Sequence, residues 1–179
     1  NFYLPDDIAV KEAYITGSDF DPRRMALSRK YCYTIDVGST PSPLTRRTAC
    51  YVGIGLDLDR MRKAASYFVG EHDFSRFGGH PGGSTASTVR AMYNAKVSQY
   101  HNMVRFEIEG KSFLPHQVRR MAGAIVDVGK GNLELPTFES MIENQSGDAV
   151  AHALPPNGLC LLQVTYMNFP PKIGGSDDY

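Results

Sequence analysis

The chain has 179 residues, 42% of them hydrophobic and 21% charged, so it can bury a core and is not disordered. Lysine plus arginine and aspartate plus glutamate both number 19, which leaves no net charge. That balance excludes a protein that holds nucleic acid by bulk charge, but not a local basic face, because phosphate affinity follows the local cluster. The three cysteines, Cys32, Cys50 and Cys160, are odd in number and form no CxxC pair. This argues against a disulfide framework or a zinc site and for a reducing compartment. The five histidines are scattered, and no metal site is expected. No apolar run is long enough to span a membrane, and the first residues lack the basic and apolar regions of a signal peptide.

Ile8 to Ile15 reads as a short strand. Arg29 to Val37 is rich in aromatic and β-branched residues, with Tyr31, Tyr33 and Ile35 alternating onto one face, which predicts a second strand. A loop from Gly38 to Thr45 leads to the basic pair Arg46-Arg47. From Asp57 to Gly70 the period becomes helical, with Met61, Ala64, Ala65 and Phe68 on one stripe. Asp57 or Asp59 can cap its start, and Gly70 sits where a C-terminal cap belongs. Gly78 to Ser84 is a flexible loop by composition. Ala91 to Tyr100 and Met103 to Glu109 read as strands, and the short polar link His101-Asn102 predicts a hairpin. Val118, Ala122, Ile125 and Gly129 then share a helical face, predicting a helix from Pro115 to about Val128. Thr137 is expected to cap a helix from Phe138 to about Asn144, Leu159 to Tyr166 to be the last strand, and Pro170 to Tyr179 to be frayed. The pattern predicts one α+β domain over residues 1–170, an antiparallel sheet with helices packed on one face, and a flexible tail over 171–179.

Basic residues cluster at Arg23-Arg24, Arg29-Lys30, Arg46-Arg47 and Arg119-Arg120. Any one pair is ordinary solvated surface. Two of them, however, stand beside aromatic side chains: Arg29-Lys30 opens the strand of Tyr31 and Tyr33, and Arg119-Arg120 follows Phe113 in the first turns of a helix. Cations that hold phosphates, next to a ring that stacks on a base, are what an unstacked nucleobase requires. Arg119 lies at the edge of the apolar helical face, and a partly buried arginine needs an anionic partner. Glu107, Glu109 and Asp127 are the nearby candidates in sequence, and a partner from another part of the protein, or a phosphate, stays open. His116, at the start of the same helix, reads on its own as a surface residue, and Asp73 as a turn residue. The Gly78 to Ser84 loop lacks the Lys-Ser/Thr ending of a phosphate cradle.

These segments resemble a known family. FDPRRMALSRKYCY (Phe20 to Tyr33) resembles the FxARxxAxxRxYxY block of the TruA-type tRNA pseudouridine synthases. SFLPHQVRRMAGAIVDVGKG (Ser112 to Gly131) resembles the family's F-x-x-H-x-V-R-x-x-V-G segment. Weaker echoes fall in the right order: LPDDIAV near the start, GEHDFSRF (Gly70 to Phe77), Thr88-Val89-Arg90, and LPPNGLCLLQVTY (Leu154 to Tyr166).

The resemblance implies the C-terminal half of a two-half fold, in which two related α/β halves flank a cleft. It implies isomerisation of uridine to pseudouridine in the anticodon arm of tRNA, without cofactor or metal, by a cytoplasmic homodimer. The target base is flipped out of its stack. A catalytic aspartate attacks the nucleoside, the glycosidic bond breaks, the base rotates, and a carbon–carbon bond forms. By motif match Tyr31 would stack on the uracil and help remove a proton. Arg119 would pair with the catalytic aspartate and keep it ionised. Arg23, Arg29 and His116 would lie near the RNA. The family's R-T-D-x-G-V-H-A aspartate motif has no counterpart here, so the chain reads as a fragment that is inactive by itself. The rival readings are an RNA-binding α+β module without catalysis and, further behind, a plain interaction domain.

Overall fold

The computed structural model describes residues 1–78, 87–143, 151–167 and 169. Its centre is β1 (Ala26–Asp36), which is bordered on one side by β5 (Met103–Gly110) and on the other by β6 (Leu159–Tyr166) and the two-residue β2 (Cys50–Tyr51). Beyond β5 lie β4 (Val89–Tyr100) and β3 (Gly70–Asp73), so the sheet has six strands among the described residues. All pairings are antiparallel except β1 with β2, which is parallel. The expected antiparallel sheet is therefore a mixed one, and the α+β fold stands. The hairpin between β4 and β5 turns at His101-Asn102 as expected, with His101 in the left-handed region at φ 50°.

Register explains which side of the sheet carries the core. Tyr31 pairs with Ile108, Tyr33 with Phe106 and Ile35 with Val104, so one face is apolar across two strands. Of these six, all but the half-buried Tyr31 are buried. The other face presents Lys30, Thr34, Arg105 and Glu107, and Lys30 and Glu107 form an ion pair of 2.6 Å there.

Three helices cover the apolar face: α1 (Leu58–Ser66), α2 (Gln117–Lys130) and α3 (Leu135–Glu143). Asp57 is the cap of α1, accepting the N–H groups of Asp59 and Arg60 at 3.0 Å each. The helix ends at Tyr67, not at Gly70, which takes a φ of +119° and opens β3 instead. Helix α2 is buried on most of its circumference. Glycine lets it approach its neighbours: a Cβ on Gly123 would stand 2.3 Å from the His152 carbonyl oxygen, and one on Gly129 would stand 2.8 Å from Met61. Helix α3 begins before Thr137, which lies inside it rather than at its cap. Five phenylalanines, Phe68, Phe74, Phe77, Phe106 and Phe138, join helices to sheet through edge and tilted contacts.

The strand expected over Ile8 to Ile15 does not form. Its alternating residues have no surface to pack on, and Ile15 is fully exposed. The Asn1 side chain bonds both the N–H and the carbonyl of Val10, so that backbone is satisfied locally. The glycine-rich loop beyond Gly78, the end of the α3 expectation at Asn144 and the tail from Pro170 lie outside the described residues.

Candidate functional site

The turn before β1 is built on one side chain. Asp21 accepts the N–H groups of Arg23 and Arg24 at 2.8 and 3.0 Å, and its carbonyl accepts from Met25 at 2.9 Å. Both arginine side chains therefore project outward, and both are exposed. Arg29, near the start of β1, bonds the Arg23 carbonyl at 2.5 Å and the Lys111 carbonyl at 2.7 Å. Its guanidinium is a bracket between this turn and the end of β5. Tyr31, two residues on, is half-buried and meets Phe113 edge to face, with centroids 5.1 Å apart at 82°.

Together these residues enclose a cleft of about 580 Å³ lined by Arg23, Arg24, Arg29, Tyr31, Ser112 and Phe113. Its described lining holds three cations, two aromatic rings and no carboxylate, and Asp21, outside the lining, lies 3.6 Å from Arg24 Nε. The resemblance implies Tyr31 at the uracil and Arg23 and Arg29 near the RNA, and the structure brings these three together with Arg24 and Ser112, to which the resemblance gives no role. The doubled arginine was the only signal for Arg24, and nothing local marked Ser112.

The second cluster begins three residues beyond Phe113. His116 takes a left-handed φ of 61° at the N-terminus of α2 and makes no side-chain cap. The buried Gln117 side chain instead accepts the Leu114 N–H at 2.7 Å and closes the turn. Arg119 donates from Nε to the Leu154 carbonyl at 2.6 Å, and the Leu154 N–H returns a bond to the Arg119 carbonyl at 3.2 Å. Nη1 of Arg119 lies 3.4 Å from His116 Nδ1. Arg120 turns the other way and donates to the Gly78 carbonyl at 2.9 Å.

Tyr33, buried beneath, donates its hydroxyl to the Pro155 carbonyl at 2.6 Å. Burial, then the neighbouring Cys50 thiol, push its pKa far above the ordinary 10.0, and the Arg119 cation only partly opposes this. Tyr33 is thus a fixed donor, not a titrating base.

The three acids near Arg119 in sequence are engaged elsewhere. Glu107 pairs with Lys30, Glu109 accepts from Ser28 at 2.6 Å, and Asp127 sits 3.2 Å from His152. Among the described residues no carboxylate pairs with Arg119. Its Nη groups remain available to an anion while Nε is held by the backbone. Arg46-Arg47 stays exposed on its loop, which Asn157 fastens through the Arg46 and Ala49 carbonyls. Among the described residues there is no cluster of three or more His, Cys, Asp or Glu able to hold a metal.

A family profile described as tRNA pseudouridine synthase matches residues 64–167. A protein named tRNA pseudouridine synthase A from Geotalea uraniireducens is 37% identical over 168 residues, covering 93% of this chain and 68% of that protein. One of the same name from Myxococcus xanthus is 36% identical over 180 residues, covering 99% of this chain and 68% of its own length. One from Acetivibrio thermocellus is 36% identical over 167 residues, covering 93% and 68%.

Proposed function

The chain belongs to the tRNA pseudouridine synthase family, and on that premise we propose that it supplies the tyrosine and arginine side of an active site that isomerises uridine to pseudouridine in the anticodon stem-loop of tRNA. The observation that carries the reading is the acid-free cleft of three arginines and two rings around Tyr31. Such a cleft suits a base taken out of its stack: Arg23 and Arg24 hold flanking phosphates, and the Tyr31 ring, steadied by Phe113, receives the uracil. Arg29 contributes by fixing the shape of the cleft, since two carbonyls already occupy its guanidinium.

Arg119 has the complementary task. Its Nε bond to Leu154 fixes the plane of the guanidinium, so the outer nitrogens form a preorganised fork for a carboxylate. We assign that carboxylate to a nucleophilic aspartate outside these 179 residues. An arginine fork favours the ionised form of the acid, which is the nucleophilic one. His116, 3.4 Å from Nη1, buttresses the fork and faces the RNA. The working enzyme is proposed to be a cytoplasmic homodimer that uses no cofactor.

Release of tritium from C5 of labelled uridine in tRNA tests the reading, because a new bond to C5 must displace that hydrogen. The chain alone and a version extended upstream are compared. Release from the extended version alone supports the assignment. Release from this chain alone would require an attacking aspartate within it. No release from either, with tRNA still bound, would leave a binding module.

A further inference from the structure

The β1–β6 register sets Cys160 directly opposite Cys32. Opposed residues of an antiparallel pair point to the same face, with Cα atoms roughly 4.5–5.5 Å apart. A disulfide spans roughly 4.4–6.8 Å between Cα atoms, so the register places this pair within the range a bridge requires. The shared face is the one without helices. There the Cys32 thiol lies 3.8 Å from Thr34 Oγ1, across the strand from Glu107, and Glu107 is paired with Lys30.

The two sulfurs differ in access. Cys32 is buried, while Cys160 is exposed on a strand that, beyond β1, pairs among the described residues only through the Tyr166–Phe169 bridge at its far end. Burial first, then the charges of Glu107 and Cys160, raise the Cys32 thiol above its ordinary 9.0, against the opposing effects of Thr34 and Arg105. Cys160 is therefore the group that meets an oxidant first, and Cys32 is the resolving partner. The third thiol, Cys50, is buried on the helical side beside the Tyr33 hydroxyl and cannot reach either.

We propose that Cys32 and Cys160 form an oxidisable dithiol site that a hydroperoxide closes into a cross-strand disulfide, stapling the edge strand β6 to β1. The Cys160 thiolate attacks the peroxide, the O–O bond breaks, and Cys160 becomes a sulfenic acid while the leaving oxygen is protonated. The Cys32 sulfur, giving up its proton, then attacks the Cys160 sulfur and expels hydroxide, which that proton converts to water. Two thiols lose two electrons and the peroxide gains them. The bridge forms one residue from Tyr31, on the opposite face of the same strand.

The full chain is treated with hydrogen peroxide, alkylated, and analysed by intact mass and peptide mapping. The expected product has lost two hydrogen atoms, takes up label at Cys50 only, contains a Cys32–Cys160 linked peptide, and melts at a higher temperature until dithiothreitol reverses it. Cys160→Ser is expected to abolish the linked peptide and Cys50→Ser to retain it. Sulfinic acid at Cys160 without a link, a bridge that includes Cys50, a Cys160–Cys160 dimer, or an unchanged mass would each overturn the proposal.

Discussion

Replacing Arg119 by alanine in an active enzyme that contains this chain separates two effects. The first is structural. The substitution deletes a charge-assisted bond of 2.6 Å to the Leu154 carbonyl. Bonds of this kind contribute about 1.5–3 kcal/mol net, and the half-exposed setting favours the lower end, about 1.5 kcal/mol. For a chain of this size that lowers the melting temperature by roughly 3–6 °C. Because a native protein has roughly 5–15 kcal/mol of stability, the variant stays folded at the assay temperature. The second effect is chemical. Loss of a preorganised charged donor typically costs about 100-fold or more in turnover, equivalent to ~2.7 kcal/mol of barrier. Tritium release is therefore expected to collapse while tRNA retention on filters changes little. Arg119→Lys keeps the charge but loses the planar fork, and is expected to recover little of the rate. Wild-type turnover in Arg119→Ala would refute the role given to this side chain.

Tyr31→Phe keeps the ring that meets Phe113, so tRNA affinity is expected to hold while turnover slows; an unchanged rate would leave the hydroxyl without a chemical part. Arg23→Ala removes an exposed cation from the cleft and is expected to weaken tRNA binding and reduce its logarithmic salt slope by about one, read from affinities at several ionic strengths. Gly123→Ala drives a methyl group against the His152 carbonyl and is expected to cost about 1–3 kcal/mol in urea unfolding. Tyr33 has a raised pKa in the folded chain, so its stabilising contribution is complete below its ordinary value of 10.0 and declines as pH rises above it. Tyr33→Phe should flatten that alkaline decline in thermal melts, and an identical decline would mean another group titrates.

The strands legible in the sequence are those with sustained alternation. Tyr31, Tyr33 and Ile35, and Val104, Phe106 and Ile108, each mark a face before any partner is known, and β6 falls on its expected residues. β2 and β3 escaped because two and four residues carry no period, and both exist through pairing with β1 and β4. The opposite error at Ile8 to Ile15 has the same root: alternation is necessary for a half-buried strand but does not supply the surface it packs on. At the site, helical period places Arg119 at the edge of an apolar face, but its acceptor lies 35 residues away in sequence. Likewise, nothing local to Arg29 tells that the Lys111 carbonyl, 82 residues on, will occupy it. The roles of Tyr31 and Arg119 came from resemblance; the bonds that orient them came from the structure.

The position of β1 at the centre of the sheet also fixes an order of events during synthesis. Within these 179 residues the strand that carries Tyr31 is made well before its long partners, β5 and β6, which begin only at Met103 and Leu159. Before Met103 is made, the two residues of β2 are its only native strand partner among the described residues. Its row of donors and acceptors must wait on the growing chain, and closing such distant pairs is slow. A ribosome that stops short of Leu159 would release the three described helices and leave the Ala26–Tyr33 flank of the Tyr31 strand without its β6 partner, an invitation to pair with another unfinished chain.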